Sequence, residues 1–395
     1  MKPGIFLLIL ALTQFVGRTF AQDLEFSGYF ENQLFPQELN NKLALQDYNK
    51  IRLDLSAEPA ENVSFNGDYI YRVFHGATRF NAFDFIPKSV VLKYAELTQT
   101  TPDALRPLFD FKLEDENFLD NAHVTIYLEH ASLRVGKQQL PWGTGYTWNP
   151  TDIFNDKNLL DPTYEKVGVN AFKLEVSFGG EGMATGIVGV GDEWRTSTKA
   201  IKIKHHLFGY DLSASFVEKK QDGFDYLSFR STSERRRLFG GDFSGELFGL
   251  GIWGEGAYNR MEASDNFGQY LLGSDYTFES GLYLTGEYNR NELGKSNKGQ
   301  YDINDWMRLL SADGENLGQD YLFLGSRYPI TELWNWSNYV LANLNDKSGI
   351  LFPWFDYNLN DNTELIFVGY IPFGKKETEF GEFGIGGFTR VRVYF

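Results

Sequence analysis

The sequence predicts an all-β fold: a transmembrane antiparallel up-and-down β-barrel of about 18 strands, within a range of about 16 to 20. Three observations lead to this prediction. The chain is polar on average, with a mean hydropathy of −0.35, yet 16% of its residues are aromatic, including 35 Phe and 22 Tyr. Alternating segments of about ten residues recur along it, which is the length of a tilted membrane-spanning strand. Short and long links alternate between these segments.

The amino-terminal residues have the pattern of a secretory signal. Lys2 supplies a positive charge, residues 5–12 are apolar, and Ala21 ends a plausible cleavage site. The apolar run is too short to cross a bilayer. The sequence therefore predicts a cleaved signal peptide at 1–21 and a barrel domain at 22–395. The chain contains no Cys, which excludes disulfides, a lipid-modified Cys and covalently attached c-type haem.

Strand-like alternation of apolar and polar residues supports the barrel domain throughout its length. The clearest alternating segments lie near residues 24–31, 51–56, 65–72, 172–178, 201–204, 282–289, 340–345 and 389–395. One such segment is weak evidence, but many in succession indicate a sheet with an apolar face and a polar face.

The lengths of the links predict the topology. Short links fall near residues 58–62, 128–131, 179–182, 208–211, 248–250, 278–281, 330–333 and 361–362. Longer links fall near residues 36–42, 75–118, 143–167, 192–197, 219–233, 261–267, 291–317, 345–349 and 373–386. This asymmetry is typical of barrels with short periplasmic turns and long extracellular loops. The stretch 75–118 is long enough to contain an additional hairpin.

The last ten residues form the predicted closing strand, which pairs with the strand that starts at Leu24. Val391, Val393 and Phe395 share one face, and Arg390 and Arg392 share the other. A terminal Phe after alternating residues resembles the signal that the barrel assembly machinery recognises in bacterial outer-membrane proteins. The resemblance implies an outer-membrane location, with outer-membrane lipid, lipopolysaccharide and the assembly machinery as partners. The resemblance is also compatible with a homo-oligomer.

Strand number has a consequence for the interior, because barrels of 16 to 18 strands leave an aqueous channel unless something plugs it. Strand parity predicts which charges line that channel, and Glu25 and Glu31 are among the inward negatives. The principal pore-lining candidates are Arg52, Asp54, Asp68, Arg72, Arg134, Glu175, Lys202, Lys204, Arg236, Asp242, Glu246, Glu255, Asp275, Glu287, Arg390 and Arg392. Both signs are present, so the wall is not a simple anion or cation filter.

Residues 133–152 differ from ordinary strand and loop. They contain Gly136-Lys137-Gln138, then Trp142-Gly143-Thr144-Gly145, then Trp148-Asn149-Pro150-Thr151-Asp152. This succession resembles a pattern in a family of porin-like outer-membrane proteins, which implies a barrel with a pore. The alternation slips near 136–138, which predicts a β-bulge there.

The loop that follows is long enough to fold into the lumen. Its constriction candidates are Trp142, Tyr146, Trp148, Asn149 and Asp152, with the aromatic rings as stacking surfaces for sugars or other flat solutes. The alternative is that the turn only braces the barrel rim and the aromatic residues join the interfacial girdle.

The function predicted from these features is an outer-membrane porin for passive diffusion of small hydrophilic solutes or ions. The main alternative is a barrel sleeve around a partner, such as a multihaem cytochrome in an electron conduit, or a polysaccharide export channel. A third hypothesis, a hydrolase on the lipid face, has His123 as its one candidate. The sequence offers no metal-spaced cluster or nucleophile motif, so no enzyme activity, metal or cofactor is expected. The net charge of −16 disfavours nucleic-acid binding.

Overall fold

The computed structural model describes residues 24–39, 42–155, 167–310 and 316–395. The predicted signal peptide, residues 1–21, lies outside the described residues. Across the described ranges, every helix is too short or too polar to span a membrane.

Eighteen antiparallel strands form one closed sheet, so the predicted fold class and strand number are confirmed. Each strand pairs with the next barrel strand in sequence, and the last pairs with the first. The barrel strands are β1 (Leu24–Leu39), β2 (Lys42–Ala60), β3 (Val63–Gly76), β6 (Glu116–Tyr127), β7 (Ala131–Gln138), β8 (Val169–Phe178), β9 (Gly182–Gly189), β10 (Thr198–Leu207), β11 (Tyr210–Asp225), β12 (Arg230–Leu247), β13 (Leu250–Met261), β14 (Phe267–Thr277), β15 (Tyr283–Asn291), β16 (Asp320–Pro329), β17 (Trp334–Asn343), β18 (Ser348–Asn360), β19 (Thr363–Phe373) and β20 (Gly386–Tyr394).

The link between β3 and β6 carries its own small structure. It contains the two-stranded sheet of β4 (Arg79–Asn81) and β5 (Asp110–Lys112), with helices α1 (Lys88–Leu97) and α2 (Pro102–Leu105) between them. This hairpin does not join the barrel sheet, so the stretch 75–118 adds no barrel strands. Helix α3 (Ile303–Leu310) lies in the link between β15 and β16. Short 3₁₀ turns span Ala82–Asp84, Arg106–Phe109 and Lys298–Gln300.

The barrel closes where the sequence predicts. β1 and β20 pair from Tyr29 opposite Tyr394 to Gln37 opposite Gly386. The terminal Phe395 extends this ladder, because its N–H donates to the Gly28 carbonyl at 3.0 Å. The closed ladder leaves no edge on which another chain could add a strand.

The two faces of the wall have opposite character. Phe26, Phe30 and Ile201 are 62%, 44% and 51% exposed on the outside. Tyr29 and Glu31, one residue out of phase with the phenylalanines of β1, are buried inside. An outer belt of exposed apolar side chains is the surface that a bilayer requires.

The short turns match their predicted positions, and two of them have a defined geometry. Phe208-Gly209 and Phe248-Gly249 have positive φ at both residues, between 54° and 82°. Two-residue loops of this kind match the right-handed twist of a β-hairpin.

Two of the predicted long links are shorter than expected. β1 and β2 remain paired up to Leu39 opposite Lys42, so the link predicted at 36–42 is mostly strand. Likewise, β11 and β12 pair to Asp225 opposite Arg230, within the link predicted at 219–233. These strands continue past the apolar belt, where polar residues obscure the alternation that marks a strand in sequence.

The bulge predicted at 136–138 was wrong in position. The pairing of β6 with β7 is continuous through Gly136, which faces His123. The register shift lies on the other side of β6, where the partners change from Asp68 with Asn121 to Tyr69 with Leu119. The extra residue is Asp120. On the other side of β6, Gly136 has a φ of +128°, and a Cβ there would lie 2.2 Å from the Ala122 carbonyl oxygen.

Candidate functional site

The loop after β7 lies inside the barrel against the inner wall. Its residues Leu140, Trp142 and Ile153 are buried. They pack on small and branched side chains of β8 to β13, namely Ala171, Ile187, Ala200, Val217, Leu238 and Ala257. The strand register puts these wall residues on the same side as the inward charges, so the contact is with the lumen face.

Glu255 on β13 binds the start and the end of this loop. Its carboxylate accepts hydrogen bonds from the backbone N–H groups of Thr144, Gly145 (2.6 Å) and Thr151 (3.1 Å). The Thr151 hydroxyl donates a further bond at 2.9 Å. Backbone donors aimed at a buried carboxylate satisfy its charge without a cation and fix the path of the loop.

Glu287 on β15 binds the middle of the loop in the same way. Its carboxylate accepts from the backbone N–H groups of Tyr146 and Thr147, the latter at 2.6 Å. The Trp253 indole also donates to it at 2.7 Å. Glu287 is 1% exposed. Glu255 and Glu287, together called the docking wall below, therefore attach residues 144–151 to the middle of the barrel.

The Asn-Pro-Thr-Asp turn provides the local rigidity that the sequence predicts. The Asp152 carboxylate accepts from the backbone N–H groups of Phe154 (3.0 Å) and Asn155 (3.2 Å), and the Asp152 N–H donates to the Asn149 carbonyl. Gly143 has a φ of +85°, which a residue with a side chain adopts only with strain.

The three aromatic constriction candidates occupy different surroundings. Trp142 is buried, with the Lys202 ammonium 5.3 Å from its ring centroid. Trp148 is buried against Tyr321, with their ring centroids 6.0 Å apart. Tyr146 is 54% exposed within the lumen. It is therefore the aromatic residue of this loop that a passing solute can reach.

All sixteen pore-lining candidates face inward by strand register, but most are paired. Arg52 contacts three carboxylates, those of Asp54 (2.6 Å), Asp68 (2.8 Å) and Asp120 (3.3 Å). An array of paired charges creates a local electric field in the lumen, but it leaves few unpaired charges to attract a solute.

The remaining candidates vary from buried to exposed. They pair as Lys202 with Asp242 (2.8 Å), Arg72 with Glu116 (3.1 Å), Arg134 with Thr125 (3.1 Å), Glu175 with Lys173 (2.8 Å), Lys204 with Asp211 (2.6 Å), Arg236 with Asn259 (2.8 Å) and Asp275 with Tyr283 (2.8 Å). Glu246 is exposed near the short turns. The role of these residues in selectivity stays a prediction.

Arg390 and Arg392 belong to a buried cluster around Glu31. The Arg392 Nε donates to the Glu31 carboxylate at 2.7 Å, and Lys50 and Arg390 lie 3.8 Å from it. Arg390 also donates to the Gln33 side chain at 2.7 Å. Arg390 is 2% exposed, so it does not face open water. Glu31, Lys50, Arg390 and Arg392 join β1, β2 and β20 and are called the closure seam below.

His123, the one candidate of the hydrolase hypothesis, is on the wrong face for lipid. It is buried on the inner side, where its Nδ1 lies 3.3 Å from the Lys137 carbonyl. In the part of the chain that the structure describes, there is also no group of three metal-ligating side chains.

Sequence reasoning missed an inward group at the short-turn end of the lumen. Arg327 on β16, Tyr283 on β15 and Asn335 and Tyr339 on β17 line a cavity of about 480 Å³ together with Tyr146. The alternation of Tyr321, Phe323, Gly325 and Arg327 was the available signal, but inward and outward aromatic residues look alike in sequence.

The extracellular loops form a cap at the opposite end of the barrel. Tyr94 and Phe109 from the β3–β6 link pack in one buried cluster with Ile303 and Trp306 from the β15–β16 link. A second attachment centres on the fully buried Glu379, which accepts hydrogen bonds from the side chains of Tyr321 and Asn343 (2.7 Å). Burial raises the pKa of Glu379 to about 7.

Comparison with solved structures gives the same fold. OccAB1 of Acinetobacter baumannii matches with a TM-score of 0.57 and 10% identity over 96% of this chain and 97% of that chain. OccAB3 of the same organism matches with a TM-score of 0.55 and 10% identity, over 94% and 99%. OccK5 (OpdH) of Pseudomonas aeruginosa matches with a TM-score of 0.54 and 9% identity, over 95% and 98%. No family model and no curated protein matches the sequence.

These three structures are outer-membrane porins, and at this identity the likeness establishes the fold alone. The closed barrel and its apolar outer belt define the class: an outer-membrane β-barrel protein. The predicted location in the bacterial outer membrane is confirmed.

Proposed function

We propose that the protein is a porin that passes small hydrophilic solutes or ions by passive diffusion. The observation that carries this proposal is the loop bound across the lumen by Glu255 and Glu287. A loop fixed at mid-height would narrow the lumen that an 18-stranded barrel encloses, and a narrowed lumen would select solutes by size. Constriction is therefore preferred over rim bracing.

The sleeve and export alternatives are less consistent with this interior. A sleeve needs a lumen that its own loops leave open for a partner. Here residues 139–155 occupy part of the lumen, and Trp142 and Trp148 are packed between the loop and the wall. The inward position of His123 removes the support for a lipid-face hydrolase.

Conductance of the purified protein in planar bilayers tests the proposal. We expect discrete single-channel steps, and liposome swelling that is fast for small sugars and slows as sugar size increases. Heat-denatured protein serves as the control. A folded barrel that gives neither conductance nor swelling would exclude the porin and favour a plugged barrel or a sleeve.

We also propose lipopolysaccharide as a partner of the outer rim. Lys199, Arg235 and Arg237 surround the single carboxylate of Glu218 on the outward face, at the long-loop end of β10 to β12. This excess of cations over one acid suits lipid phosphates. Changing all three cations to Gln should reduce the lipopolysaccharide that co-purifies with the barrel.

The terminal residue is proposed as the assembly signal. Phe395 completes the closing ladder on Gly28, and its ring lies 6.3 Å from that of Phe26 on the outside. Deleting Phe395 should slow insertion into the outer membrane more than it destabilises barrels refolded in detergent.

A further inference from the structure

We infer that the tyrosine-lined cavity below the infolded loop binds a sugar that carries one anionic group, either a phosphate or a carboxylate. This inference rests on the proposed channel function and names a solute class for it. The cavity holds about 480 Å³, within the range of small-molecule sites.

The anion would bind Arg327. Strand register puts its side chain on the lumen face, beside Tyr283 on β15 and Ser337 on β17. Within the described part of the chain, Arg327 has no ion-pair partner, unlike Arg52 or Arg392. Asp356 on β18 interacts electrostatically with Arg327 but forms no ion pair with it, so this exposed guanidinium can form a bidentate contact with a phosphate or carboxylate of a solute.

The sugar ring would lie on the tyrosines. Tyr339 stacks on Phe323, with ring centroids 5.8 Å apart and planes inclined by 16°, and Tyr146 lies 5.6 Å from the same Phe323. Gly325 allows this arrangement, because a Cβ there would lie 3.0 Å from the Tyr339 ring. The apolar face of a pyranose packs well on such aromatic surfaces.

The polar groups around the cavity favour a hydroxylated ring over a plain aromatic one. The Asn335 amide lines the cavity and offers both a donor and an acceptor. The hydroxyls of Tyr146 and Tyr339 are hydrogen-bonded to each other, and that of Tyr283 donates to Asp275 at 2.8 Å. These contacts hold the rings in place before a solute arrives.

The cavity is next to the constriction, since Tyr146 belongs to both. Its backbone N–H is held by Glu287, and its ring extends toward the short-turn end. A solute bound there would interrupt the ion current, which provides a direct measurement.

The experiment measures current interruptions in planar bilayers with glucose 6-phosphate, glucuronate, glucose, acetate and benzoate added in turn. We expect saturable interruptions with the two anionic sugars, and the stronger of the two identifies the preferred anion. Arg327→Gln should weaken both by about 10-fold or more. Arg134→Gln, which removes an inward cation on β7, controls for the loss of one lumen charge and should retain the interruptions.

Three results would overturn the inference: equal binding by Arg327→Gln, equal interruption by glucose or acetate, or benzoate binding as tightly as the sugars. Calorimetric titration of the detergent-solubilised barrel with the same five compounds separates this inference from the proposed function. Binding without conductance would reject the porin and retain the site, whereas conductance without binding would reject the site alone.

Discussion

The closure seam and the docking wall both centre on buried glutamates of the inner barrel face, but these glutamates have opposite kinds of partner. Glu31 in the seam is surrounded by Lys50, Arg390 and Arg392. Glu255 and Glu287 in the docking wall accept from neutral N–H and O–H groups of the loop and of Trp253.

This difference separates two tasks. Charge pairing at the seam joins the first and last strands, and the cost of burying each ion is recovered only when its partners are present. The backbone N–H groups of the loop bind the docking wall with geometric specificity, because each N–H must reach a specific carboxylate oxygen. We therefore expect the seam to control whether the barrel stays closed, and the docking wall to control the width of the proposed channel.

The largest expected effect is at the seam. Glu31→Gln leaves three buried cations without their shared carboxylate, so the free energy of unfolding should fall by about 3–5 kcal/mol. Urea unfolding in detergent, followed by heat-modifiable gel migration, measures it. Glu25→Gln, on an exposed residue of the same strand, is the control. An unchanged urea midpoint for Glu31→Gln would show that the ion pairs of Glu31 do not stabilise the contact between the first and last strands.

The seam also revises the predicted selectivity role of the last strand. Parity placed Arg390 and Arg392 among the pore charges, and for charges that face open water a reversal of both to Glu would shift ion preference toward cations. Because both contact Glu31, the double reversal would put three carboxylates together in a buried site. We expect it to impair folding before any reversal potential can be measured.

Glu379 in the extracellular loops is intermediate between these two cases. It is buried, its hydrogen-bond donors Tyr321 and Asn343 are neutral, and its carboxyl group loses its proton within an experimentally accessible pH range. The pKa of Glu379 is raised to about 7, so the folded state holds the proton more tightly than the unfolded chain, in which this carboxyl group has its ordinary pKa of 4.5. The free energy of unfolding should therefore decrease as pH rises from 4.5 to about 7, by about 3 kcal/mol at most.

Hydrogen exchange of residues 374–385 at several pH values measures this effect. Protection should be greatest below pH 4.5 and should decrease through neutrality. Glu379→Gln should abolish the dependence, whereas Glu377→Gln, on an exposed neighbour, should retain it. A flat profile in the parent protein would mean that the pKa of Glu379 is the same in the folded and the unfolded chain.

The docking wall predicts a smaller energetic effect with a functional readout. Glu287→Gln replaces a charged acceptor with an amide, which weakens the hydrogen bonds from Tyr146 and Thr147 by about 2 kcal/mol in total. The loop should detach part of the time, which raises the mean single-channel conductance and exposes residues 144–151 to protease. Glu58→Gln, at an exposed position near a short turn, is the control. If the protease cleaves the loop but the conductance is unaltered, Glu287 attaches the loop to the wall and the loop does not set the width of the channel.

The same comparison explains what the sequence could predict. Alternation is a local property, so it identified the inward faces of Glu31, Glu255 and Glu287 and the pairing of β1 with β20. The loop contacts join residues 104 to 141 positions apart, and no local pattern encodes them. Nor does parity distinguish a charge that has no ion pair among the described residues, such as Arg327, from a paired one such as Arg52. The neighbouring strands decide that, because Asp68 and Asp120 reach Arg52 only in the folded chain.

The smallest predicted effect concerns Trp253, a residue of the inner wall that donates to the Glu287 carboxylate beside the loop. Trp253→Phe removes one hydrogen bond to Glu287 and keeps most of the ring, so loop attachment should weaken by about 1 kcal/mol. Brief openings to the higher conductance level should become more frequent. Trp336→Phe, a ring on the lipid face, should leave the current trace unchanged. If Trp253→Phe matches the parent while Glu287→Gln does not, the backbone N–H groups of the loop suffice to hold it. If both variants behave alike, the wall must orient its own carboxylate before the loop can bind.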